Sequence, residues 1–130
     1  MRCATGVTFS KRGTSGAEPN GATAPRGTVR SVFRHVVLFR FHPDADDAAK
    51  AAIAAGLGEL PAAIPTIRAY RFGADAGVNE GNWDYAVTAD FDDEAGYLVY
   101  RDHPAHRQVI VDHIAPAISD RASVQFAGRD

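Results

Sequence analysis

A short segment late in the chain carries the residues best suited to proton-transfer chemistry. It runs from Tyr100 through His103 to His106 and reads YRDHPAH, with one phenol and two imidazoles. Both groups can donate and accept hydrogen bonds, and an imidazole titrates near neutral pH. In the first turn of a partly buried helix, desolvation and the helix dipole would lower the pKa of His106. A neutral imidazole of this kind is suited to act as a general base that removes a proton from carbon.

The same residues also allow structural roles. His106 and Tyr100 could hydrogen-bond across a junction between two helices and fix its angle, and His103 could cap the second helix. His103 and His106 could share a metal ion with Asp102 or Asp112, but no cysteine or clustered carboxylates support such a site. We therefore predict no metal site and no cofactor.

Length and composition indicate one small folded domain. The chain has 130 residues, of which 45% are hydrophobic. Its single cysteine, Cys3, excludes an internal disulfide, so a cytoplasmic location is expected. No apolar run approaches the ~20 residues that span a bilayer, and we predict no membrane association.

Charge and composition divide the chain near residue 31. Residues 1–31 carry five cations and one acid, are rich in Gly, Ser, Thr, Pro and Ala, and are predicted to form a disordered N-terminal tail. Translation starting near Val29 or Val32 is an alternative to such a tail. Residues 32–130 carry nine cations and fifteen acids, so nucleic acid is not an expected partner.

Hydrophobic periodicity and turn residues predict seven elements after the tail. They are a strand at 32–41, a helix at 46–60, strands at 66–72 and 83–91, helices at 92–101 and 104–118, and a strand at 122–127. This order is typical of an α+β, ferredoxin-like βαββαβ fold, which is an antiparallel sheet with helices on one face.

The two faces of the first strand have different environments. The face that includes His35 is apolar enough to be buried, whereas the opposite face is half apolar and carries Val36 and Leu38 between two arginines. Because a strand that is apolar on both faces needs cover on both, we expect a twofold homodimer. On the third strand, Thr88 and Asp90 predict solvent on the face opposite the core.

Several motifs in order resemble the stress-responsive A/B barrel (Dabb) family. They are HVVLFRF, IPTIRAYRFG, WDYAVTADFDDEAGYLVY and HPAH, followed by a closing strand. The resemblance covers nearly all of the predicted domain, residues 32–130. It implies a dimeric α+β barrel, in which two four-stranded sheets pack face to face. Some plant relatives are associated with stress, and others are polyketide cyclases that perform an intramolecular aldol condensation.

The resemblance to the cyclases also implies roles for individual residues. His106 would be the general base, and Tyr100 would orient or polarise the substrate. The expected substrate-binding residues are His35, Val37, Phe39, Tyr85, Val87, Ala89, Tyr97 and His103. Tyr85 replaces a further histidine of the cyclases. The helix positions that are aliphatic in the cyclases are occupied here by Tyr97, Arg101 and Asp102, and the residue after the last histidine is Arg107. These departures favour a smaller or more polar ligand than a long alkyl chain.

The resulting expectation is a homodimer that binds a small organic ligand in a cavity. If it is an enzyme, it is a cofactor-free cyclase or lyase of polyketide-cyclase type that uses His106 and Tyr100. The alternative is a non-catalytic, stress-associated dimer with a structural Tyr–His junction, and a third option is a monooxygenase-like α+β barrel. A catalytic site requires a cavity that reaches both side chains, whereas a structural junction is packed shut.

Overall fold

The computed structural model describes residues 31–129, which form a four-stranded sheet and a layer of helices. The elements in chain order are β1 (Ser31–Phe41), α1 (Asp47–Ala63), β2 (Ala69–Ala74), β3 (Tyr85–Phe91), α2 (Glu94–Asp102), α3 (Pro104–Val109), a π-helical segment (Ile110–Ile114), α4 (Ala115–Ala117) and β4 (Ile118–Arg129). The predicted tail lies outside the described residues except for Ser31, which begins β1. No helix within residues 31–129 is long and apolar enough to cross a membrane.

The sheet has the strand order β2-β3-β1-β4, in which β3 pairs antiparallel with both β1 and β2. Ala89 at the centre of β3 lies opposite His35 on one side and Tyr70 on the other. The predicted ferredoxin-like α+β fold is therefore confirmed. Strand boundaries differ modestly, since β2 begins three residues later and β4 four residues earlier than expected.

The helices pack on the sheet face that carries His35, and the core lies between the two layers. Asp46 caps α1 by accepting a hydrogen bond from the backbone N–H of Ala49 at 2.8 Å. The buried face of α1 consists of Ile53, Leu57 and Leu60, whose spacing of four and three residues places them on one side of a helix. These side chains join a single hydrophobic cluster with residues of β1, β3 and the later helices.

The predicted continuous helix over 104–118 is wrong in detail. It is divided into α3, a π-helical segment and α4, and the backbone N–H of Ala115 bonds to the carbonyl of Ile110, five residues earlier. Pro116 supplies the physical reason, because it has no N–H to continue the α-helical ladder and its ring crowds the preceding turn. The chain then enters β4 directly at Ile118.

The outer face of the sheet, opposite the helices, is partly apolar. Asp90 on this face is buried, which corrects the prediction that it meets solvent. Arg34 on β1 lies opposite Asp90 in the register and donates two hydrogen bonds to its carboxylate, at 2.6 and 2.8 Å. These bonds lower the pKa of Asp90. Farther along this face, Val124 and Phe126 of β4 are 54% and 46% exposed.

Candidate functional site

A cavity of about 480 Å³ lies between the helices and the sheet, at the β1 and β4 side. This volume is within the range of small-molecule sites. The sheet contributes His35, Val37, Phe39, Val87, Arg121, Ser123 and Gln125. The helices and the π segment contribute Leu57, Tyr97, Tyr100, Arg101, His106, Arg107, Ile110, Ile114 and Ala115, and Ile118 completes the lining.

His106 reaches the cavity from the first turn of α3. Its Nδ1 lies 3.2 Å from the carbonyl oxygen of Arg101. Since a carbonyl oxygen can only accept, Nδ1 carries the hydrogen, and the neutral ring keeps its lone pair on Nε2. Burial lowers the pKa of His106, the bond to Arg101 opposes this shift, and the charges of Arg107 and Arg121 lower the pKa further. The imidazole is therefore neutral, and able to accept a proton, at neutral pH.

Tyr100 contacts His106 through its ring and not through its hydroxyl. The two ring centroids are 4.1 Å apart at an interplanar angle of 33°. Tyr100 is only 2% exposed, and its hydroxyl is 2.9 Å from that of Tyr70 on β2. Burial raises the pKa of Tyr100 far above its usual value and that of Tyr70 to about 12, so both phenols stay neutral.

His35 lies on β1 and borders the cavity from the side of the sheet. It is 6% exposed, and its Nδ1 accepts a hydrogen bond from the Gln125 amide at 2.9 Å. Its ring lies near those of Tyr97 and Tyr100, with centroid distances of 5.0 and 5.7 Å. Burial, followed by the charges of His106 and Arg121, lowers the pKa of His35 to about 4. A second neutral imidazole therefore borders the cavity.

Three of the predicted site residues do not line the cavity. Tyr85 packs its ring against Phe39 and Phe41. Ala89 is fully buried in the sheet between the longer side chains of its cross-strand neighbours. His103 caps α3, because its Nδ1 accepts the backbone N–H of Ala105 at 3.0 Å, which agrees with its predicted structural role. The structure brings together the other predicted residues, which are His35, Val37, Phe39, Val87, Tyr97, Tyr100 and His106.

The polar residues of β4 are the main part of the site that the sequence reasoning missed. Arg121, Ser123 and Gln125 alternate along β4 and all face the cavity. The apolar residues between them instead face the outer surface of the sheet. The alternation of polar residues along β4 is visible in the sequence, but a polar strand face is ordinarily assigned to solvent. Within residues 31–129, no cluster of three or more His, Cys, Asp or Glu side chains is placed to hold a metal ion.

Comparison with protein families gives a direct assignment. The family model of the stress responsive A/B barrel domain, Dabb, matches residues 33–127. The chain belongs to this family. The match includes every residue that lines the cavity. No curated protein matches the chain in sequence.

Solved structures agree with the Dabb assignment. A dimeric ferredoxin-like protein of unknown function from Thermobifida fusca is 43% identical, with a TM-score of 0.70, and the match covers 76% of this chain and 92% of that one. A second dimeric ferredoxin-like protein, from Bacteroides fragilis, is 27% identical, with a TM-score of 0.63 and coverage of 73% and 94%. A hydroxynitrile lyase from Passiflora edulis shares the fold at 19% identity, with a TM-score of 0.66 and coverage of 75% and 93%.

Proposed function

We propose that this Dabb domain binds a small organic molecule in the cavity and acts as a cofactor-free cyclase or lyase with His106 as the general base. The observation that carries the proposal is that one cavity reaches both His106 and Tyr100. If Tyr100 and His106 served only to join the two helices, close packing would leave no cavity beside them. The lowered pKa of His106 supports the assignment, because a base must be unprotonated at working pH.

The geometry suits removal of a proton beside a carbonyl group. Nε2 of His106 takes the proton, and the enolate oxygen accepts a hydrogen bond from the neutral phenol of Tyr100. The Tyr70 and Tyr100 hydroxyls share one hydrogen bond, and this role requires Tyr70 to be its donor, so that the Tyr100 proton stays available for the enolate. In a cyclase, the enolate carbon then attacks a second carbonyl of the same molecule, and the resulting alkoxide takes the proton back from His106.

The same base also suits a lyase reaction. His106 would remove the hydroxyl proton of a cyanohydrin, the bond between the carbinol carbon and the nitrile carbon would break, and the departing cyanide would take up the proton. The products are a carbonyl compound and hydrogen cyanide, and no cofactor is consumed. Because a hydroxynitrile lyase is among the structural neighbours, a cyanohydrin is a suitable second test substrate.

One observation favours a non-catalytic alternative. The Tyr100 hydroxyl is satisfied by Tyr70, and the Tyr100 ring belongs to the hydrophobic core. A side chain with these contacts stabilises the fold whether or not a ligand binds. In this alternative, Tyr100 and His106 hold α2 and α3 together through ring stacking, and the protein is a stress-associated dimer without catalytic activity.

We also propose that the chain forms a homodimer through the outer face of its sheet. This face exposes Val124 and Phe126 beside the half-buried Val36 and Leu38. The Thermobifida and Bacteroides proteins are described as dimeric, which supports the proposal. Light scattering should show that Phe126→Asp converts the dimer to a monomer, whereas Val78→Asp, in a loop, leaves it intact. A dimeric Phe126→Asp variant would contradict this interface.

Proton exchange tests the general base without knowledge of the natural substrate. The full-length protein is mixed with neutral aryl ketones in D2O, and proton NMR follows the loss of the signal from hydrogen beside the carbonyl. We expect the protein to accelerate exchange and His106→Gln to reduce this acceleration by about 100-fold or more. His113→Gln is the matched control, because His113 lies in the adjoining π segment but outside the cavity lining.

The outcomes separate the two candidate functions. Exchange that depends on His106 but not on His113 supports the general base. A wild-type protein no faster than buffer, or a His106→Gln variant as fast as wild type, would contradict catalysis and leave the structural role.

A further inference from the structure

The cavity is cationic although the folded part of the chain is acidic. Three arginines line it, namely Arg101, Arg107 and Arg121, and no carboxylate is among its lining residues. Residues 32–130 as a whole carry fifteen acids against nine cations. The concentration of positive charge at this one cavity is therefore a local feature and does not follow from the composition of the domain.

The three guanidinium groups are not equivalent. Arg101 donates two hydrogen bonds to the carboxylate of Asp102, at 2.9 and 3.1 Å, so its charge is compensated. Arg107 on α3 and Arg121 on β4 have no ion pair within the described part of the chain. Both are exposed, and they bring guanidinium groups without a paired carboxylate to the cavity from a helix and from the sheet, although Asp102 lies within the electrostatic reach of Arg107.

The charges of Arg107 and Arg121 act on the histidines that line the cavity. Arg121 lowers the pKa of both His35 and His106, and Arg107 lowers the pKa of His106. Both arginines therefore disfavour the protonated forms of the imidazoles that line the cavity. A bound anion would offset this positive potential.

The interior of the cavity is apolar. Val37 and Phe39 of β1, Leu57 of α1 and Ile114 of the π segment line it, and each of these side chains is buried in the hydrophobic core. A ligand that fills the site must therefore pair an apolar body with a polar end.

We propose that the cavity takes a small organic carboxylate, with its anionic group at Arg107 and Arg121 and its apolar or aromatic body against Val37, Phe39 and Leu57. Guanidinium groups bind carboxylates through paired, charge-assisted hydrogen bonds, which suits two arginines that form no ion pair in the described part of the chain. The inference rests on the proposed function in one respect, namely that the cavity is a ligand site, and it adds the substrate class.

A matched pair of probes tests the charge preference. The full-length protein is titrated at low ionic strength with 3-phenylpropanoate and with 3-phenylpropanamide, which have nearly the same shape but differ in charge. Binding is followed by NMR shifts of backbone amides that border the cavity. We expect the carboxylate to bind about tenfold more tightly than the amide. Added sodium chloride should reduce this preference, because exposed guanidinium groups are screened by salt.

Charge-removing variants locate the preference. Arg121→Gln and Arg107→Gln should each weaken carboxylate binding several-fold and leave amide binding nearly unchanged. Arg71→Gln is the matched control, because Arg71 is exposed on β2 and outside the cavity lining. It should leave both affinities as in wild type.

The outcomes distinguish this inference from the proposed function. Equal binding of the two probes, or a preference that survives in Arg107→Gln and Arg121→Gln, would overturn the anionic substrate class and leave a neutral-ligand site in place. Failure of both probes to bind would also overturn it. The proton-exchange assay uses neutral ketones, so it reports on His106 whichever way the carboxylate experiment comes out.

Discussion

The burial of His35 makes the stability of the fold depend on pH in a specific range. Burial, together with nearby positive charge, lowers the pKa of this imidazole in the folded protein from 6.5 to about 4. The unfolded chain therefore binds a proton between these two values while the folded chain does not. The contribution of His35 to the free energy of unfolding is therefore complete above pH 6.5 and is lost as the pH falls toward 4.

The size of the effect follows from the shift. Each pH unit within this window changes the free energy of unfolding by about 1.4 kcal/mol for one group. Between pH 7 and pH 4.5, His35 alone should therefore lower the stability of the fold by about 2 kcal/mol. His106 shifts in the same direction and adds to the loss. The contribution of His35 must therefore be measured as a difference between variants.

Urea unfolding at several pH values, at one fixed protein concentration, measures this difference. His35→Gln keeps a polar group beside Gln125 but cannot titrate in this range. We expect its unfolding free energy to fall by about 2 kcal/mol less than that of wild type between pH 7 and 4.5. His42→Gln, in the exposed turn after β1, should follow the wild-type curve. A His35→Gln variant with the wild-type pH dependence would refute the account of His35 as a buried, neutral imidazole.

Two further predictions concern packing. Tyr100→Phe and Tyr70→Phe should each lower the free energy of unfolding by about 1–3 kcal/mol, because each leaves the hydroxyl of the other, a buried or half-buried tyrosine, unpaired. The double variant should cost less than the sum, and strictly additive losses in urea unfolding would argue against the bond. Gly58→Ala should raise the free energy of unfolding by about 0.5–1 kcal/mol through helix propensity. Gly56→Ala should raise the free energy of unfolding by less than Gly58→Ala, or should lower it. Its new Cβ would lie 3.2 Å from both methyl carbons of Val109, a buried residue of α3. Equal gains would contradict the close packing of α1 on α3.

The parts of the fold that depend on local pattern could be predicted from the sequence. Pro104 at the first position of a helix fixes the start of α3, and this start places His106 in the first turn and His103 at the cap. The alternation in β1 identified the face that carries His35 and Val37. Both features depend on residues close together in the chain, where periodicity and capping are informative.

The parts that depend on pairing between distant residues could not be predicted in this way. Asp90 is buried because Arg34, on another strand, lies opposite it in the register. The Tyr100 hydroxyl is satisfied by Tyr70, which no local motif identifies. Arg121 faces the cavity because the apolar side of β4 is turned toward the outer surface, and this reverses the usual assignment of polar residues to solvent.

The proposed catalysis requires His106 to be a neutral base whose Nε2 is free to take a proton. Nitrogen-15 NMR of the histidine side chains, recorded as a function of pH, measures the tautomer and the pKa of His106 directly. We predict the Nδ1–H tautomer, because Nδ1 bonds to the Arg101 carbonyl, and a pKa below 6.5. An Nε2–H tautomer, or a pKa at or above 6.5, would contradict the role of His106 as the general base.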